Sequence, residues 1–264
     1  MSKQVKQPVI FVSHGAPTLP LENGHTTDFF KTLGHQFPKP SAIVCISAHW
    51  TTERVAVSTT EQNETIHDFY GFPRKLYEIQ YPAPGKPELA KRVSSLLEEA
   101  GFMVDTDPQR GLDHGAWVPL SMMYPAADIP VFQLAVQPRE STVHHYNMGR
   151  ALHKLRNAGV LILASGGATH NLRDFMGQSA DTGGFDYARE FDRWLKIAVE
   201  SGDADGILNY RQMAPEARRN HPTPEHFLPL IVALGAAGNA PQGRQIHDGF
   251  TYGMLSMAAF RWDA

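Results

Sequence analysis

Three apolar runs in this chain each end in small residues followed by a histidine: Val9-Ile-Phe-Val-Ser-His14, Ile43-Val-Cys-Ile-Ser-Ala-His49 and Leu161-Ile-Leu-Ala-Ser-Gly-Gly-Ala-Thr-His170. Short continuous apolar runs bounded by turn residues read as strands buried on both faces. Strand ends at one edge of a parallel sheet converge on one crevice, where open α/β sheets bind ligands. The pattern therefore predicts a histidine-lined crevice that could hold a metal ion. Thirteen histidines, a high count for 264 residues, agree with it.

Strand-like runs at 8–13, 42–48, 54–59, 102–106, 130–136 and 160–165 alternate with segments of helical period. This alternation predicts an α/β fold: a single layered domain over residues 1–264, with a central mostly parallel or mixed sheet flanked by helices. The best helix is Pro87 to Ala100, with Leu89, Val93, Leu96 and Leu97 on one face, Pro87 at its start and Gly101 beyond its end. Further helices are expected over 142–158, closed by Gly159, and over 185–201. A last helix, about Pro224 to Gly235, would take Thr223 as N-cap and so set His226 in its first turn. The tail from Thr251 to Trp262 reads as a final strand, returning antiparallel at an edge. Gly- and Pro-rich stretches at 71–87, 107–119 and 176–184 are expected to be loops that shape the crevice.

Composition removes several classes. Apolar residues are 42% and charged residues 19% of the chain, and the longest apolar runs are too short for a bilayer, so no membrane span is expected. The net charge of -3, with Lys and Arg scattered, offers no basic stripe for nucleic acid. No secretory pattern follows the first residues, and a cytoplasmic location is the expectation. Cys45, the one cysteine, sits inside a strand and reads as core packing. Oligomeric state is not legible.

His14 precedes a Gly15-Ala-Pro17 turn, and His49 stands near the end of its strand with Trp50 as a candidate wall. Two histidines leave a catalytic divalent ion short of ligands, since such sites supply three protein groups. A third could be His170, His226, Asp113, Glu225 or Asp68, and spacing does not choose among them. No HExxH, CxxC or Gly-rich phosphate loop is present. His67 and Tyr70 divide between a pocket and a surface-loop role. His144 and His145 read better as helix-start residues than as pocket residues.

Taken together, Ser13-His-Gly-Ala-Pro17, Ser47-Ala-His-Trp50, Ile66-His-Asp-Phe-Tyr-Gly-Phe-Pro73, Tyr81-Pro-Ala-Pro-Gly85, Leu112-Asp-His-Gly-Ala-Trp117, His144-His-Tyr-Asn-Met-Gly149, Ala168-Thr-His-Asn171 and His221-Pro-Thr-Pro-Glu-His226 run through nearly the whole chain. In that order they resemble the DOPA-dioxygenase-type branch of the class III extradiol ring-cleavage dioxygenases. The resemblance implies one divalent metal held by His14, His49 and His226, with His170 as acid/base and His114 facing the substrate. It implies a catechol and O2 as substrates, with 4,5-cleavage of an L-DOPA-like molecule as the leading example. In the broader superfamily two histidines and a glutamate bind Fe(II). Here His226 stands where a carboxylate is expected, with Glu225 beside it as the alternative ligand. An all-histidine set accepts Zn(II) readily, and Zn(II) binds more tightly than Fe(II), so the expectation is Fe(II) as working metal or Zn(II) as the ion found bound. The competing classes are a zinc-dependent hydrolase and a non-enzymatic binding protein on the same fold.

Overall fold

The computed structural model describes residues 5–239 and 242–263; the start of the chain on which the N-terminal reading partly rests, residues 1–4, lies outside it. Its ten strands are β1 (Val9–Ser13), β2 (Ala42–Thr51), β3 (Val55–Ser58), β4 (Val104–Asp107), β5 (Val131–Val136), β6 (Val160–Gly166), β7 (Arg244–His247), β8 (Phe250–Thr251), β9 (Leu255–Ser256) and β10 (Ala259–Trp262). Eight form one mixed sheet in the order β4-β3-β5-β2-β6-β1-β10-β7, and β8 pairs with β9 apart from it. The centre, β5-β2-β6-β1, is parallel.

Successive strand residues point to opposite faces, and both faces here are covered. Val9, Phe11, Val44, Ile46, Ile162 and Ala164 join one core, beneath helices Pro87–Glu99, Thr142–Leu152, Asp186–Ser201 and Leu228–Ala237. Ile10, Val12, Ile43, Cys45, Leu161 and Leu163 join the other, under His25–Leu33 and His114–Met123. Burial on two sides is why these strands read as continuous apolar runs without alternation.

The Leu228–Ala237 helix is buried along its whole length. Each of its large aliphatic side chains contributes about 1.5–3 kcal/mol by leaving water. It meets the Thr142–Leu152 helix backbone to backbone: a Cβ on Gly149 would stand 2.0 Å from the Val232 carbonyl, and one on Gly235 2.0 Å from that of Tyr146. Only glycine permits that approach. Arg156, 1% exposed, fastens the same region by donating to the carbonyls of Gln7, Ala237, Trp262 and Asp263. It thus ties the entry to β1, the end of the buried helix and the end of β10.

Several expectations change. The final strand is antiparallel as expected, but β10 lies inside the sheet between β1 and β7, not at its edge. The stretch 107–119 is loop only to Asp113, which accepts from the Ala116 N–H at 3.2 Å and opens a helix at His114. The helix expected over 142–158 changes at His153 to a tighter 3-10 turn, closed by Gly159 at φ 72°. The last helix begins at Leu228, so His226 lies in the turn before it, not in its first turn. Thr223 does not cap that helix; its hydroxyl donates to Glu225 instead. The His25–Leu33 helix and the polar strand β7 carry no strong sequence signal: the first has no side-chain cap, the second only one apolar residue.

Candidate metal centre

The strands that carry the histidines are neighbours. β2, β6 and β1 lie side by side with Ser47 paired to Ser165 and Ser13 to Gly166, so their carboxyl ends open at one place. His14 follows β1 directly and His49 projects from the end of β2. His226 arrives from the other end of the chain. Its carbonyl accepts from the Gly167 N–H at 2.9 Å, and a Cβ on Gly166 would stand 2.2 Å from that carbonyl. A glycine at the end of β6 is therefore what lets the His226 turn close over the strand.

Three Nε2 atoms converge there: His49 Nε2 is 3.0 Å from that of His14 and 3.2 Å from that of His226. The opposite ring nitrogens are engaged. Ser165 donates its hydroxyl to the Gly115 carbonyl, so at 3.1 Å it accepts from His14 Nδ1–H. His226 Nδ1–H faces the Glu225 carboxylate at 3.3 Å, and His49 Nδ1 lies 3.6 Å from Asp68. These partners fix tautomers that turn three lone pairs toward one point, an arrangement that repels itself unless a cation lies between them. Nitrogens ~2.1 Å from a shared ion, at ligand angles of ~90–110°, stand roughly 3.0–3.4 Å apart. The donor set fits a divalent transition metal.

Electrostatics agree. Burial, reinforced by neighbouring imidazoles, holds His14 and His226 well below the ordinary histidine range. His49 is lowered to about 3 by burial and then by His114, against the opposing pull of Asp68. Neutral imidazole is the ligating form. Burial alone would raise the Asp68 carboxyl, but hydrogen bonds from His114 outweigh it and bring the group to about 2.

The other expected residues divide. His170 lies flat on His226, rings 3.4 Å apart and 5° from parallel, and burial lowers it to about 3. His114 sits 3.8 Å from the His49 ring and is held by Asp68. Both line the same cavity as the converging three. Asp68 and Glu225 also fall within reach of an ion, grouped with His49 and His114 and with His170 and His226 respectively, but each is bonded to a histidine of the cluster. Asp113 is not at the centre: fully buried, it accepts from the Ser47 hydroxyl and from Arg110. Trp50, expected as a wall, points the other way, beside Ala56 and Ala135 with Arg110 over its ring, because consecutive strand residues face opposite sides. His67 bonds the Ile79 carbonyl and Tyr70 is 93% exposed. His145 is structural, its Nδ1–H donating to the Ser141 carbonyl and its Nε2 accepting from the Gln137 N–H. His221 braces the crevice from behind through the Ala168 carbonyl.

Above the histidines opens a cavity of about 460 Å³ walled by Phe69, Phe72, Leu172, Phe175, Met254 and Leu255. Sequence reasoning assigned none of these. Phe69 and Phe72 flank Tyr70 in a segment already singled out, whereas nothing local marks Leu172, Phe175 or Met254 as pocket residues.

A mixed α/β sheet whose parallel strand ends gather three neutral imidazoles under an apolar cavity has the donor set and the walls of a metal-dependent enzyme that takes a small, largely apolar molecule. The chain belongs to the LigB family, described as the catalytic LigB subunit of aromatic ring-opening dioxygenase, whose profile matches residues 8–261. It is an aromatic ring-opening dioxygenase of that family. It is 43% identical over 256 residues to a 4,5-DOPA dioxygenase extradiol of Beta vulgaris, covering 96% of this chain and 95% of the relative. A protein of the same description from Escherichia coli K12 is 39% identical over 96% of this chain and 93% of its own length. The crystal structure of an uncharacterized Escherichia coli K12 protein superposes with a TM-score of 0.80 at 34% identity, over 97% of this chain and 99% of that one. Among the described residues no helix is long and apolar enough to cross a membrane.

Proposed function

We propose that the whole chain is one catalytic domain that opens a catechol ring beside its paired hydroxyls, using O2 and one divalent metal held by His14, His49 and His226. The observation that carries this reading is the meeting of three Nε2 atoms, 3.0 and 3.2 Å apart, at the floor of the aromatic-sized cavity. Fe(II) is the working metal in this reading and Zn(II) a readily bound substitute, since the ligands are all imidazole. Several relatives are described as 4,5-DOPA dioxygenase extradiol, which supports a DOPA-like catechol as substrate class. A bound divalent ion would favour loss of the catechol protons and, as Fe(II), supply the electron exchange with O2 that ring opening requires.

The chain's own residues do the rest. Phe69, Phe72 and Leu255 exclude water around the ring. His170 is neutral at pH 7 and takes up a proton from the bound diol, returning it as the ring opens. His114 has its Nδ1–H committed to Asp68, which leaves Nε2 as the nitrogen that meets a substrate oxygen. A cytoplasmic setting, with no nucleic-acid or membrane partner, completes the reading. The test is anaerobic reconstitution of metal-stripped protein with Fe(II) or Zn(II), followed by O2 uptake and yellow ring-opened product across a catechol panel including L-DOPA. Uptake with Fe(II) alone is expected. No uptake with any catechol at full metal loading would overturn the reading.

A further inference from the structure

We infer that Arg110 and Asp113 are positioning residues of the metal centre: with Ser47 they grip the backbone of His49 where β2 leaves the sheet, and so place its imidazole. The inference rests on the reading of His14, His49 and His226 as metal ligands, and adds what fixes one of the three.

β2 loses its regular pairing just before His49. Its register with β6 ends at Ser47–Ser165, and that with β5 breaks between Ile46 and Thr51. Backbone groups that leave a ladder inside a protein need other partners. Side chains supply them here: the His49 N–H donates to the Ser47 hydroxyl at 3.2 Å, and the His49 carbonyl accepts from Arg110 Nη2 at 3.4 Å. Both arms end on one carboxylate. Ser47 donates to Asp113 Oδ1 and Arg110 to Asp113 Oδ2, each at 2.6 Å. The peptide groups on either side of the His49 Cα are thus tied to a single fully buried side chain.

Arg110 is suited to this by shape. Its guanidinium carbon lies 5.2 Å from the centre of the Trp50 ring, on the side of β2 away from the crevice. A planar fork can meet a carboxylate and a carbonyl while resting on an aromatic face, which a compact ammonium cannot. The same carboxylate also starts the helix that bears His114, accepting from the Ala116 N–H at 3.2 Å. That helix start is pressed against β2: a Cβ on Gly115 would overlap the Ser47 hydroxyl and stand 3.1 Å from His49 Cδ2. The Gly115 carbonyl in turn accepts from Ser165, the partner of His14 Nδ1. Displacing Asp113 therefore displaces His49 first and His14 next. Net stability does not account for the pair, since apolar residues in place of a buried ion pair hold a fold together at least as well.

Arg110→Lys separates charge from geometry, because it keeps a cation beside Asp113 and gives up the fork. Metal-free Arg110→Lys should unfold at nearly the same urea concentration as the unaltered protein. Its Zn(II) affinity, read by chelator competition, should fall about 10–100-fold, and the visible bands of the Co(II)-loaded protein should shift as His49 Nε2 leaves its place. Ser47→Ala, which frees the His49 N–H from the other arm, should shift the same bands. Should Arg110→Lys not fold, the doubly neutral Arg110→Gln/Asp113→Asn protein takes its place, with the same loss of affinity and the same band shift expected. Folded variants with unaltered Zn(II) affinity and an unaltered Co(II) spectrum, whether or not their urea midpoint falls, would overturn the positioning role and leave the three-histidine reading intact. Failure of the unaltered protein to take up either Zn(II) or Co(II) would overturn both.

Discussion

Asp68 holds His114 twice through one oxygen: Oδ1 accepts from the ring Nδ1–H at 2.9 Å and from the backbone N–H at 3.0 Å. Its other oxygen stands 3.6 Å from Nδ1 of His49. One carboxylate on a loop thus orients both His49, whose Nε2 joins the three that converge, and His114 on the cavity floor.

Removing that carboxylate should disturb geometry more than composition. For Asp68→Ala we expect kcat to fall about 10–100-fold, the usual effect of losing a partner behind a metal site, while most of the metal stays, because His14 and His226 keep their own partners. Metal content per chain, measured beside kcat, checks the split. Nitrogen-15 NMR of the His114 ring should show its tautomers mixing.

His170 and His226 stack on each other yet should behave differently. His170→Ala is expected to retain metal and lose about 10²–10⁴-fold in turnover, the range for an acid/base group. His226→Ala should lose the ion. If His170→Ala protein were metal-free after the same loading, His170 would be a ligand.

Metal uptake should release few protons. Three ordinary imidazoles with pKa ~6.5 would together give up about two protons on binding an ion at pH 6. Here His49 is lowered to about 3, and His14 and His226 are also well below the ordinary range, so the ligands are already neutral. Zinc titrations at pH 6 in buffers of different ionisation enthalpy should report release near zero. A value near two would contradict the buried, neutral arrangement.

His145 provides a pH effect remote from the metal. Burial lowers it to about 4, with both ring nitrogens bonded in the neutral form. The unfolded chain takes up its proton near pH 6.5 and the folded one only near 4, so folding stability is complete above about pH 6.5 and falls as pH drops between those values. Between pH 7.5 and 5.5 this one group removes about 1.4 kcal/mol. His145→Gln should be less stable at pH 7.5 but lose about that much less across the interval, by urea denaturation of metal-free protein.

Much of this was written locally. The apolar strands, the histidines at their ends, and helices such as Pro87–Glu99 and Asp186–Ser201 follow from residue spacing and burial on two faces, which a chain encodes over five to fifteen positions. Tertiary structure alone decided which strand ends are neighbours, and so that His14 and His49 meet. His226 reaches His49 across 177 positions because Gly166 admits its carbonyl. Asp113 looked as eligible a ligand as Asp68 until packing gave it to a helix N-terminus and Arg110. The sheet interior likewise claimed β10, whose apolar residues suit burial between β1 and the polar edge strand β7. Such choices depend on side chains far apart in sequence competing for the same space, a quantity that no window along the chain contains.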